Sequence, residues 1–217
     1  MTPLFSWFFL PILFLDLHHS GIIINRIDLI KLKKGGVSIL DLKQQDVIRT
    51  NALDYFEKAG IALSKKELSK EIKIFNYDTV DFYTMGIVIV TFINTERYCG
   101  RFILFFPGQC AGEHWHPDVG ANKGKEETLR VLYGQAFAYG EGEPTKNMKA
   151  KIPEGKEKYF TSRHETILNP GDQYTVGLNE KHWWQAGAEG VIALEVSSTA
   201  RDKYDLYTDN TLKVNIY

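Results

Sequence analysis

The stretch Gly108–Gly134, GQCAGEHWHPDVGANKGKEETLRVLYG, constrains the fold more than any other part of this 217-residue chain. His114 and His116 stand two residues apart, and on a β-strand side chains at i and i+2 leave the same face. Two imidazoles on one strand face can converge on a single ion. A second run, ETLRVLYGQAFAY, puts Glu127, Leu129, Val131 and Tyr133 on one face and Thr128 and Arg130 on the other. The intervening PDVGANKGKE is rich in turn formers, Pro117, Gly120, Asn122 and Gly124. If the two runs pair as a hairpin, the Glu127 carboxylate joins the two histidines. Far downstream, His182 in NEKHWWQAG is available as a fourth ligand. Three histidines and one carboxylate suit a divalent ion such as Mn, Fe, Ni, Co or Zn, and ligand type alone does not choose among them.

The text around this stretch reads as strands separated by turns. KIFNY, GIVIVTFI, RFILFF, AGEHWH, TLRVLYGQAFAY, KYFTSRHETIL, DQYTVG, HWWQAG and VIALEV are the candidates, punctuated by PG at 107, GEGEP at 140, NPG at 169 and AEG at 188. Many short strands at this spacing predict a mainly β barrel or sandwich rather than a βαβ fold. Before the strands, Val47, Ile48, Leu53, Tyr55 and Phe56 recur at roughly helical spacing up to Gly60. Ser64 and Glu67 then form a capping box for a second short helix through about Glu71. These helices, within about 43–72, are expected to brace the outside of the barrel. The polar C-terminal SSTARDKYDLYTDNTLKVNIY reads as a covering segment or a dimer contact.

Residues 1–40 do not match the rest. SWFFLPILFLDL is too short and too Pro-interrupted for a membrane span, and lacks the basic start and small-residue cleavage site of a signal peptide. These residues are expected to be a poorly ordered extension. KKGGV at 33–37 is also a peptide that a ribosome-binding site would encode, which makes the extension a candidate for translated leader ahead of the native start. Residues 41–217 are then one domain, long enough to bury a core of its own. A net charge of −1 gives no electrostatic case for nucleic acid or an anionic membrane. Two cysteines, Cys99 and Cys110, form no disulfide framework and point to a reduced, cytoplasmic protein. Thirteen Phe, eleven Tyr and four Trp fit an aromatic-rich β core.

The spacing of Gly108, His114, His116, Glu127 and Gly134 resembles the first motif of the cupin superfamily, with ten residues between His116 and Glu127 where cupins usually have three or four. The words EHWHP, GKEET, NPGDQYT and KHWWQAG narrow this to a resemblance to the D-lyxose ketol-isomerases, over about residues 45–210. The resemblance implies a cupin-type jelly-roll β-barrel, an aldose–ketose isomerase acting between D-lyxose and D-xylulose with D-mannose and D-fructose as a side reaction, and manganese as the metal. It favours Glu127 over Glu126 as ligand, because Glu127 has six residues before Gly134. Cupins of this size also commonly pair as homodimers, and edge strands of small barrels need cover.

Four further residues are candidates for the sugar chemistry. Glu195 shares a strand face with Val191 and Ala193, and a carboxylate on an apolar face is costly unless paired or functional; it is the expected base. Lys125, two residues before Glu127, is the expected partner of a substrate oxygen. Trp183, directly after His182, is expected to offer an apolar platform to the sugar, and His164 to touch it. The same four ligands would also serve a cupin Fe(II) dioxygenase, and a sugar-binding cupin without activity is a third alternative.

Overall fold

The computed structural model describes residues 39–217 except Thr79; the expected extension, apart from Ile39 and Leu40, lies outside the described residues, as does the proposed leader. Leu40, placed at the end of that extension, is buried beside the first helix, and its amide donates to the Tyr217 hydroxyl.

Helix α1 (Leu42–Lys58) starts at Asp41, whose carboxylate accepts from the Gln44 amide while the Gln44 side chain accepts from the Asp41 amide. This reciprocal pair satisfies two orphan donors of the first turn. Its buried stripe is Gln45, Ile48, Ala52 and Phe56; Leu53 faces outward instead. Ser64 and Glu67 do cap one another, but the helix beyond them is a single π-helical turn, Glu67–Glu71, that runs straight into the first strand.

The strands are β1 (Ile72–Tyr77), β2 (Gly86–Asn94), β3 (Cys99–Phe105), β4 (His114–Trp115), β5 (Glu127–Gly140), β6 (His164–Leu168), β7 (Gln173–Val176), β8 (Trp183–Ser197), β9 (Leu206–Tyr207) and β10 (Val214–Ile216). The larger sheet runs β10-β1-β2-β3-β8-β5-β6, with β7 also on β5, and the smaller pairs β4 with β9. The pairings among these strands are antiparallel. Phe75 on β1 and Leu168 on β6 lie in one buried cluster although their strands are far apart in hydrogen-bonded order, so the sheet curls around a common core. The expected mainly β, cupin-type architecture is what forms.

Alternation along the strands separates two apolar layers. Ile89, Ile103, Leu129, Val131 and Ala193 face the interior, while Ile74, Val88, Val90, Leu104 and Ile192 face α1. Burial on both faces explains why GIVIVTFI reads as a continuous apolar run. HWWQAG and VIALEV are one strand, not two, because AEG continues through β8 instead of turning. KYFTSRHETIL forms a strand only over its last five residues, and AGEHWH only over His114–Trp115.

The Gly134 that closes the metal motif has a conformational reason. It sits at φ +74° at an irregularity of the β5–β8 ladder, opposite Val191, and a Cβ on it would run into the carbonyl of Gly190, itself at φ +78°. The irregularity also turns Tyr133 out of the Glu127–Leu129–Val131 face, to an edge contact with Tyr55 of α1. Gly134→Ala should therefore lose at least the ~1–3 kcal/mol of a forced left-handed residue, read as a lowered midpoint in thermal or urea unfolding.

Candidate metal centre

The inner wall changes character at one end of the sheet. Along β3 and β8 the facing pairs are Phe105 with Val191, Ile103 with Ala193, and then Arg101 with Glu195 and Cys99 with Ser197. On β5, Val131 and Leu129 lead to Glu127, which lies opposite Ser197 on one side and Val176 on the other. A polar floor thus caps an apolar interior.

The expected hairpin between the histidine strand and β5 does not form. β4 pairs with β9, and His114 forms an isolated bridge to His182, each amide donating to the other's carbonyl at 3.0 and 2.9 Å. Glu127 arrives by another route. The loop after Pro117 folds back so tightly that a Cβ on Gly124 would collide with the His116 carbonyl, and its turn is held by Asp118, which accepts from the Gly124 amide at 2.9 Å. Glycine at 124 is what returns the chain to the histidines.

Each imidazole is oriented by its Nδ1. That of His114 contacts the Gly112 carbonyl at 2.9 Å, that of His182 the Glu180 carbonyl at 2.9 Å, and that of His116 the Asp205 carboxylate at 2.7 Å. Such contacts assign Nδ1 the proton and leave Nε2 a free electron pair. One ligand atom from each of His114, His116 and His182 can be chosen so that all lie within 4.8 Å of one another. The Nε2 atoms of His116 and His182 are buried without a hydrogen-bond partner, 3.5 and 3.2 Å from the two oxygens of Glu127. Buried acceptors without donors are costly. A divalent cation satisfies them, so the donor set fits a metal.

The charges around the cluster point the same way. Lys125 Nζ lies 2.5 Å from Glu127 and 3.3 Å from Glu195; Arg101 Nε donates to Glu195 at 2.7 Å and its Nη1 reaches Asp202 at 2.9 Å. With all three imidazoles neutral, as metal ligands are, four carboxylates (Glu127, Glu195, Asp202, Asp205) face two cations (Arg101, Lys125), a deficit that equals the charge of one divalent ion. Burial alone would raise the Glu127 carboxyl, but Lys125 and the histidine contacts outweigh it and hold it well below the usual carboxylate range. Burial likewise opposes the charge on Lys125, as does Arg101, yet Glu127 and Glu195 push its pKa above that of an ordinary lysine. Loss of water, with His182 and His116 alongside, holds His114 well below a normal histidine, in its neutral form.

His114, His116, Glu127, His182, Lys125 and Glu195 are thus brought together. Glu195 lacks the apolar surroundings expected of it: Arg101, Lys125 and Ser197, the last at 2.9 Å, all donate to it. Trp183 is not a platform. Tyr139 stacks on it at 3.9 Å, Phe160 packs edge-on, and its indole N–H donates to the Ser162 carbonyl inside a separate core cluster. Trp184 is buried in the main core. His164 is exposed at the start of β6, bonded to the Glu143 carbonyl. His116, Lys125, Thr199, Arg201, Tyr204 and Asp205 border a narrow crevice of about 10 Å³ beside the cluster. A larger cleft, about 310 Å³, lies between Arg49, Lys73 and Tyr217 and touches none of these residues.

Sequence reasoning missed Arg101, Asp202, Asp205 and Tyr207. Arg101 carried a legible signal, a charge inside the apolar RFILFF on the same alternation as Ile103. The C-terminal residues carried none, because β9 is two residues long and only its pairing with β4 sets Tyr207 against His114, ring centroids 5.5 Å apart.

The chain is 45% identical over 161 residues to the D-lyxose ketol-isomerase of Cohnella laeviribosi, spanning 74% of this chain and 88% of that protein. It is 43% identical over 165 residues to the D-lyxose ketol-isomerase of Thermofilum sp. (strain ex4484_79), covering 76% and 91%. The chain belongs to the D-lyxose ketol-isomerase family. Membership makes it a sugar isomerase. The D-lyxose/D-mannose isomerase of Thermosediminibacter oceani is 40% identical over 166 residues, 76% of this chain and 91% of that one. No family model matches. Among solved structures, L-ribose isomerases share the fold at low identity: that of Cellulomonas parahominis with L-ribose (TM-score 0.65, 13% identity, 79% and 93% covered) and the Acinetobacter sp. DL28 E-to-Q mutant with L-ribose (TM-score 0.64, 12%, 76% and 84%).

The buried charges make a stability prediction. Arg101→Met strips Glu195 of its shortest partner and Asp202 of its guanidinium, and removing one member of a buried pair costs about 3–5 kcal/mol. Urea unfolding of the variant should show a loss of that order.

Proposed function

We propose that this chain is a metal-dependent aldose–ketose isomerase interconverting D-lyxose and D-xylulose, with D-mannose and D-fructose as a second pair. The observation that carries the reading is the convergence of three oriented histidines on Glu127, with two buried Nε2 atoms left unpartnered. The names of the family's relatives supply the sugars. His114, His116, His182 and Glu127 would hold the ion, with manganese the expected metal. When bound, a divalent ion polarises the sugar carbonyl and steadies the neighbouring hydroxyl.

The chain's own residues handle the proton. Moving the carbonyl between C1 and C2 through an enediol requires a base that takes a proton from one carbon and returns it to the other. Glu195 is assigned that role, at Oε1. Its Oε2 stays tied to Arg101, whose fork also engages Asp202, while Lys125 Nζ at 3.3 Å is the donor free to turn. Lys125 moves its hydrogen bond to a substrate oxygen, steadying negative charge there and leaving the Ser197 hydroxyl as the remaining donor to Oε1, whose other lone pair takes the carbon-bound proton. Trp183 and His164 do not enter this mechanism.

A homodimer completes the proposal, checked by light scattering at micromolar concentration. Among the described residues no helix is long and apolar enough to cross a membrane, and Cys99 and Cys110 are free thiols; a cytoplasmic enzyme fits both.

The direct test is a sugar panel with Mn, Co, Ni and Fe added to metal-stripped protein, under anaerobic conditions. D-lyxose should be turned over without oxygen, whereas an oxygenase would stop. His116→Ala and Glu127→Ala should take up far less Mn yet melt cooperatively; native turnover by either in metal-free buffer refutes the ligand assignment. Glu195→Gln should keep metal and sugar binding and lower kcat by roughly 10²–10⁴-fold, the usual worth of a positioned base. Native kcat in that variant removes Glu195 from the mechanism.

A further inference from the structure

Glu113 is a buried carboxylate that the proposed chemistry does not use. It is 2% exposed, and it precedes the first histidine. All its partners are neutral donors. Oε2 accepts from the backbone amides of Thr161 and Ser162, each at 2.6 Å; Oε1 accepts from the hydroxyls of Thr161 at 2.8 Å and Thr208 at 2.6 Å. The Glu113 carbonyl also accepts from the Thr208 amide at 3.0 Å. A carboxylate buried with no cation beside it is costly, and four donors on two oxygens are what stabilise it there. Those donors come from two stretches that are remote in sequence, the loop before β6 and the residue directly after β9.

Ser162 carries the constraint onward. Its hydroxyl donates to the Lys181 carbonyl at 2.8 Å, and its own carbonyl accepts from the Trp183 indole N–H at 2.8 Å. Lys181 and Trp183 are the residues on either side of His182. Glu113 and Ser162 therefore form a bridge whose ends flank His114 and His182. Those two histidines exchange backbone hydrogen bonds, and their ring centroids are 4.3 Å apart.

We infer that Glu113, acting through Ser162, is a positioning residue that sets the placement of His114 against His182. It touches neither ion nor sugar. The inference rests on the metal-centre reading of the proposed function, and adds to it the residue just before β4. Outer partners of metal ligands are typically worth 10–100-fold in metal affinity.

The charge itself is dispensable if the hydrogen bonds are the point. A glutamine at 113 can turn its carbonyl to the two backbone amides and its NH₂ to the two hydroxyls, which rotate to accept. Alanine leaves both amides without a partner. The test uses metal-stripped full-length protein titrated with Co²⁺, reading affinity and the visible ligand-field spectrum, with a thermal melt of the same samples. Glu113→Ala should weaken Co²⁺ about 10–100-fold and alter the spectrum. Glu113→Gln should restore most of both, and Ser162→Ala, which loses only the hydroxyl bond to Lys181, should shift affinity in the same direction by less. A Glu113→Ala protein that melts lower but binds Co²⁺ with native affinity and spectrum overturns the inference, leaving Glu113 a structural tie only. If Glu113→Ala does not fold, Ser162→Ala decides, and native Co²⁺ affinity and spectrum in that variant overturn it equally. Native protein that takes up no Co²⁺ fails earlier, and refutes the metal centre rather than the role of Glu113.

Discussion

The constraint on which the rest depends is the cost of burying charge. Glu127, Glu195, Lys125 and Arg101 lie at or below 6% exposure within one closed network. Ions removed from water are tolerated only when paired and saturated with hydrogen bonds. The fold answers by building the network at the end of an already apolar wall, where Ile103, Ala193 and Leu129 fix the strands in register. Register matters here because a slip of one residue would send Arg101, Glu195 and Glu127 to the outer face. The apolar core is therefore also the device that aims the site.

The C-terminal segment is the second half of that device. Asp202 meets Arg101, Asp205 orients His116, Tyr207 stacks near His114 and Thr208 holds Glu113. Asp209 adds an ion pair to Lys156 at 2.7 Å. The covering role expected of this stretch is correct, but the segment does more than cover. It supplies the hydrogen bonds that give three separate elements one geometry.

How much of this was legible in the chain depends on distance in sequence. His114, His116, Glu127 and their flanking glycines could be read because strand alternation and motif spacing are local properties. The β character of 72–105 and of 183–197 was legible for the same reason. The hairpin was misjudged because turn formers such as Pro117 and Gly120 show that the chain bends, not which strand it bends toward. Trp183 was misjudged because an aromatic beside a ligand looks the same whether Tyr139 or a sugar covers it. The pairings of Glu195 with Arg101 and of His116 with Asp205 were invisible because the members of each pair lie about ninety residues apart.

The central claim is that this network is completed by a divalent ion. The measurement that tests it most directly is the unfolding temperature of the native protein by calorimetry, after metal stripping and again with excess Mn²⁺. An ion that binds only the folded state stabilises by mass action, about 2.7 kcal/mol at a hundredfold excess over Kd. The account predicts a clear rise in Tm on adding Mn²⁺, reversed by chelator. A Tm indifferent to Mn²⁺, Co²⁺ and chelator alike would contradict it.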